Sequence, residues 1–171
     1  MNRRGDTPVK TSGEIFPSDT VPVLAFNRKL DVTPFSMRWG YSLSSGKLII
    51  NARSESAKTT RLFKDGFANR RCLIPASAYF EWRREGSNRE KHRISARDER
   101  LFYMAGVYRH VDEICEFAIL TKSPDPNISF IHDRMPVIFS GEKAFKWLDR
   151  NADTGYLLNK ATSAVEYRRL G

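Results

Sequence analysis

The chain has 171 residues, 40% of them hydrophobic, enough to bury one real core without disulfides or a structural metal. Its 29 Lys and Arg against 20 Asp and Glu leave a net charge of +9, which attracts polyanions and makes nucleic acid the first partner to consider; scattered surface lysines give the same total. Two cysteines and three widely spaced histidines fit neither a disulfide framework nor a zinc site, and neither a bilayer-spanning run nor a signal peptide is visible, so a reduced, cytoplasmic, cofactor-free protein away from membranes is expected.

In chain order, residues 1 to 13 are polar and interrupted by Gly5, Pro8 and Gly13, which predicts a flexible arm, with order beginning near Ile15. Short stretches rich in β-branched and aromatic residues predict strands at VPVLAF (21 to 26), KLIINA (47 to 52), RCLIPA (71 to 76), AYFEW (78 to 82), HRISA (92 to 96), FYMAGVY (102 to 108), EFAIL (116 to 120) and MPVIF (135 to 139). Helical spacing is confined to 59 to 69, through Leu62, Phe63 and Phe67, and to 141 to 150, with Ser140 as its cap. The charged segment 83 to 91, with Gly86, Ser87 and Asn88, predicts a hairpin turn. One domain over 1 to 171 is expected, of the α+β class: a mixed or antiparallel, barrel-like sheet with a few flanking helices.

Three places combine residues that carry chemistry. In IINARSE (49 to 55), an extended chain projects Asn51, Arg53 and Glu55 to one side; Asn offers a donor and an acceptor and Arg a fork for a phosphate, while an Arg53 salt bridge to Glu55 or a neighbour is the plainer reading. In AYFEW, Tyr79 and Glu81 share a face opposite Phe80 and Trp82, so that burial would tune the carboxyl for acid-base work, unless it pairs with Arg83 or Arg84 in water. In SFIHDRMPVIF, His132 can exchange a proton near neutral pH; the alternative is a histidine bonded within a loop. His92 and His110 read as surface residues, and Cys72 and Cys115 as buried small hydrophobes. Trp39, in MRWGYS, with Arg38, Arg61, Arg70 and Arg71, reads either as a stacking platform beside phosphate contacts or as a core Trp.

Taken in order, WG at 39, INARSE at 50, RRCLIPASAYFEW at 70, FYMAGVY at 102, AILT at 118 and HDRMPVIF at 132 resemble the SOS response-associated peptidase (SRAP) family over nearly the whole chain. That resemblance implies a compact barrel-like fold with a basic groove for single-stranded DNA, including junctions where duplex begins, and a monomer that processes abasic sites. It implies peptidase activity on the initiator residue, lyase activity, and a covalent thiazolidine link formed by a cysteine exposed at the amino terminus. By motif, Asn51 would position the sugar, Glu81 would move protons during ring opening, and His132 would assist proton transfer and reversal. Arg53, Arg61, Thr121 and Arg134 would contact phosphates, Trp39 would stack on a base, and Pro17, in EIFPSD, would shape the groove.

The sequence departs from the family at its start, where Asn2 stands in place of the cysteine, and EIFP arrives early, so the family's first strand and helix are expected to be missing. A start downstream of the family's own is the reading adopted over divergence; this chain as written is not expected to form the thiazolidine. The competing readings are a non-catalytic single-stranded nucleic-acid-binding module and a hydrolase acting through the Glu and His, the latter without a nucleophile or metal set.

Overall fold

A computed structural model describes residues 8–97, 99–162 and 164–171. Strict alternation of buried and half-buried residues builds its first ribbon: β1 (Thr20–Phe26) turns Val21, Val23 and Ala25 inward and pairs antiparallel along its whole length with β2 (Val32–Trp39). Further on come β3 (Tyr41–Ser42), β4 (Leu48–Ile49), β5 (Asn51–Arg53), α1 (Ser54–Ala57), α2 (Lys64–Asn69), β6 (Arg71–Ala76), β7 (Tyr79–Glu85), β8 (Asn88–Ala96), β9 (Phe102–Val111) and β10 (Ile114–Lys122). The chain ends with β11 (Met135–Pro136), β12 (Ile138–Phe139), a 3-10 helix (Gly141–Leu148), α3 (Thr154–Asn159) and β13 (Val165–Arg169).

Five strands close a mixed barrel in the order β10-β2-β1-β6-β9 and back to β10. All its pairings are antiparallel except the one that completes it, where Glu116 and Phe117 of β10 lie parallel to Arg38 and Trp39 of β2. One apolar cluster draws on all five strands, through Val23, Met37, Cys72, Met104 and Phe117 among others. A second lies on the opposite face of β6, β9 and β10, where Phe67 of α2 and Trp147 of the 3-10 helix pack against Leu73, Val107 and Leu120. The barrel-like α+β architecture read from the sequence is the one observed.

A separate three-stranded sheet, β13-β8-β7, stands beside the barrel. Its hairpin turns at Gly86 with φ of 60°, the positive value a two-residue connection requires and glycine adopts freely.

Several expectations needed correction. KLIINA and MPVIF each divide into two short strands. The helix expected from residue 59 begins only at Lys64, because Thr60 turns its hydroxyl back to the Ser56 carbonyl at 2.8 Å and closes a turn instead. Ser140 makes no capping hydrogen bond, and the segment after it winds as a 3-10 helix. β2, β3, α1, α3 and β13 were not foreseen. Of the expected arm, residues 1 to 7 lie outside the described ones; Val9 bridges to Thr20, and the Lys10 amide donates to the Thr20 carbonyl at 2.8 Å. Among the described residues no helix is long and apolar enough to cross a membrane.

Candidate nucleic-acid site

The site gathers around β10. On one side β5 runs parallel to it, with Asn51 beside Ile119 and Arg53 beside Thr121; on the other β11 pairs Pro136 with the same Thr121. The NAR triplet alternates exposed, buried, exposed, so Asn51 and Arg53 face solvent while Ala52 anchors the strand. Neither exposed side chain has a hydrogen bond or salt bridge among the described residues. The strand stops at Arg53, so Glu55 belongs to the first turn of α1 rather than to the same strand face. Nor does it pair with Arg53. Its carboxylate takes both arms of Arg134, at 2.9 and 2.7 Å, and that bond holds it below the usual carboxylate range despite partial burial. Arg134 is steered there by Thr121, whose carbonyl accepts from Nη2 at 2.7 Å. Thr121 itself is buried, and its hydroxyl points to the Ala52 carbonyl at 3.4 Å.

Two residues before Arg134, the loop presents His132. Its Nδ1 lies 3.0 Å from the Arg134 main-chain nitrogen, 3.2 Å from the Arg134 carbonyl oxygen and 3.2 Å from the Asp133 carboxylate, so the ring is oriented by its own loop. Glu81 faces this loop from β7. Burial pushes its carboxyl above the ordinary glutamate value and the negative Asp133 pushes the same way, against the pull of His132 and of a main-chain N–H at Trp82. Arg83, the suggested partner of Glu81, pairs instead with Glu85 and Glu90, leaving the acid facing the imidazole. The expected segregation of faces holds: Tyr79 is buried on the Glu81 side, while Phe80 and Trp82, on the other, both lie under the ammonium of Lys91, at 4.4 and 5.2 Å. The arrangement thus offers a protonatable acid, an imidazole and an exposed amide and guanidinium.

The SOS response associated peptidase (SRAP) family model matches residues 2–170. The chain belongs to this family. It is 32% identical over 126 residues to the abasic site processing protein YoqW of Bacillus subtilis (strain 168), covering 70% of this chain and 56% of that one. It is 34% identical over 116 residues to the abasic site processing protein YedK of Escherichia coli (strain K12), covering 64% and 52%. The chain therefore spans little more than half the length of these curated relatives. Among solved structures, a protein from Bacteroides thetaiotaomicron superposes with a TM-score of 0.75 at 25% identity, covering 90% of this chain and 75% of that one. A phage-related protein from Bordetella bronchiseptica shares the fold, with a TM-score of 0.76 at 22% identity over 91% of this chain and 80% of that one.

Other residues of this SRAP chain fall into clear places. Pro17 occupies the second position of a turn whose third residue, Ser18, has φ of 78°, closed by the Asp19 amide on the Phe16 carbonyl at 3.0 Å. Trp39 lies parallel to Phe117 with ring centroids 6.5 Å apart and donates its indole N–H to the Ile50 carbonyl at 3.1 Å, directly behind Asn51. Arg61 is exposed on the turn before α2. The structure does not assemble the other arginines into a platform: Arg70 pairs with Asp65, Arg71 is buried and donates to the carbonyls of Phe67 and Asp149, and Arg38 is tied to Glu116.

Sequence reasoning missed that last partner. Glu116 is fully buried, bonded by Arg38, Arg109 and the hydroxyl and amide of Ser42; burial alone would raise its carboxyl, but these donors hold it at about 2. Arg109 and Glu116 face each other across the β9–β10 hairpin, so the charged residue at an inward position of EFAIL was the available signal. His92 is a further correction: only 3% exposed, it lies beneath the rings of Phe130 and Tyr167. Cys72 is buried as expected, which pushes its thiol up, whereas Cys115 is half-exposed beside His110, with Sγ 3.3 Å from Nδ1.

Proposed function

We propose that this SRAP chain recognises abasic sites in single-stranded DNA, and at its junctions with duplex, as a monomer, and catalyses opening of the abasic sugar. The observation that carries the reading is Glu81: a half-buried carboxyl that faces His132 and that burial pushes above its ordinary value, on a surface whose exposed groups suit a phosphate and a sugar. In the closed sugar, C1′ bears a hydroxyl and is bonded to O4′. Glu81 gives its proton to O4′ as the C1′–O4′ bond breaks and takes the hydroxyl proton through its other oxygen. The carboxyl ends as it began, an aldehyde remains, and no co-reactant is consumed. His132 donates a ring N–H to the oxygen on which charge develops, and the Asp133 carboxylate, 3.2 Å from Nδ1, favours the imidazolium if the ring takes a second proton. Asn51 would orient the sugar and Arg53, Arg61 and Arg134 the strand, with Trp39 fixing Ile50 from behind.

Covalent capture and strand cleavage are later steps of the same aldehyde. Among the described residues neither thiol supports the first: Cys72 is buried with a raised thiol, and Cys115 lies at the far hairpin with its thiol also raised by burial. Ring opening is therefore measured directly. An abasic oligonucleotide is mixed with a hydroxylamine probe, which reacts only with the open aldehyde, and the capture rate is followed with and without protein. The expected result is faster capture with the wild type and loss of that gain in Glu81→Gln, with binding retained. Capture at the protein-free rate, alongside tight binding, would leave the chain a non-catalytic single-strand module.

A further inference from the structure

The three-stranded sheet carries a feature that the chemistry above does not use. Its register sets Glu81, His92 and Arg169 in one row, and Tyr79, Ile94 and Tyr167 in the next, on the same face. Onto that face folds Phe130, from the loop that also presents His132. Phe130 meets Tyr167 edge to face, with centroids 5.2 Å apart and planes at 71°, and meets His92 at 6.1 Å and 88°. His92 fills the space below, so neither ring can sink further, and each remains 46% exposed. Two large rings held half in water over a filled core mark a surface with a use beyond packing. Arg83 places its guanidinium 5.5 Å from the Phe130 ring centre, and Arg83 and Arg169 share one carboxylate, Glu90, at 3.8 and 2.9 Å. The three strands together carry seven Lys and Arg against four Glu, so the surroundings of the rings favour an anionic occupant over a second copy of this basic chain.

We propose that Tyr167 and Phe130 form a stacking subsite for a base of the DNA strand on one side of the abasic residue, with Arg83 and Arg169 taking its phosphates. The inference rests on the reading of Glu81 and His132 as the place where the abasic sugar sits, because it makes the row from Glu81 to Arg169 the path by which the strand leaves. Aromatic faces accept any base, so the subsite lengthens the footprint without adding sequence preference.

The test uses fluorescence anisotropy with three labelled single strands: one with nucleotides on both sides of the abasic residue, one extended only 5′ and one extended only 3′. Tyr167→Ala should weaken the two-sided strand and one of the one-sided strands by about 5- to 150-fold, the range for loss of one stacked base, and leave the other unchanged. Tyr167→Phe, which keeps the ring, should bind as wild type. Tyr167→Leu, which keeps apolar cover over His92 without a ring, should behave like Tyr167→Ala and decides the matter if the alanine variant folds poorly. Wild-type affinity of the leucine variant for all three strands would overturn the subsite, as would equal losses on all three or a dimer of the wild type that the substitution dissolves. If the wild type fails to prefer abasic over intact strands, the reading of Glu81 and His132 fails instead. Loss of intact-strand affinity in Tyr167→Leu but not in Tyr167→Phe then still decides the subsite.

Discussion

Arg134 and Glu55, 79 positions apart in sequence, form a two-pronged ion pair in which both carboxylate oxygens accept from the guanidinium, at 2.9 and 2.7 Å. A phosphate fits the same fork, so on the proposed reading Glu55 and a DNA strand would compete for Arg134. Glu55→Gln should therefore tighten binding to single-stranded DNA and steepen the dependence of log Kd on log salt by about one phosphate contact. Anisotropy titrations from low to moderate salt check both; an unchanged slope would make Arg134 a brace for Glu55 and Thr121 only.

Glu81 should control the rate and not the affinity. Glu81→Gln is expected to slow aldehyde formation by about 100- to 10,000-fold, the usual span for a lost general acid-base, with little change in Kd. Because burial raises its carboxyl, the protonated form that serves O4′ persists above the ordinary glutamate range and is lost as pH rises through the raised value. The wild-type rate should fall on that alkaline limb and the glutamine variant should lack it. Parallel losses of rate and binding would remove Glu81 from the chemistry.

Arg53 and Arg61 should behave in the opposite way. Both are exposed. Arg53→Ala and Arg61→Ala should each weaken binding across sequences and flatten the salt slope by about one, while aldehyde formation at saturating protein stays near the wild-type rate. Unaltered salt dependence in Arg53→Ala would place the strand elsewhere.

The buried Glu116 ties β2, β3, β9 and β10 through Arg38, Ser42 and Arg109. Its carboxyl titrates lower in the folded state, about 2 against 4.5, so the folded state binds fewer protons between those values. The stability it contributes is present above about pH 4.5 and is lost as pH falls toward 2, which acid denaturation followed by circular dichroism will show. Glu116→Gln leaves two arginines without their counter-charge and should cost about 3 kcal/mol, the low end for breaking a buried pair, since both guanidinium groups retain some solvent. A melting temperature within a degree of wild type would contradict that.

Much of the barrel was legible because alternation and β-branched content are local properties: RCLIPA maps residue for residue onto β6, and the other apolar stretches each contain or extend into strands. β2 escaped because Pro34 argues against a strand. It is tolerated because β10 joins β2 only at Arg38 and Trp39, which leaves the earlier residues along an edge. β13 escaped because four of its five residues are exposed, so it carries no apolar signal. The acid and imidazole were picked out from their local surroundings and given roles by motif resemblance, and no spacing rule could have joined positions 81 and 132. Nor could local sequence bury His92, whose covering rings come from Phe130 and Tyr167.

The barrel closes through the parallel seam between β2 and β10, which joins residues near 38 to residues near 116. Such distant pairing slows folding, since the loop between must be ordered before the seam repays it. Asn51 and Arg53 owe their setting to β10, and Glu55 meets its partner only once the chain has reached Arg134. A nascent or partly unfolded chain accordingly offers DNA scattered charge but no assembled site. The setting of Asn51 and Arg53 is thus a property of the assembled sheet, fixed by the pairing of β5 with β10 and held by no shorter piece of the chain.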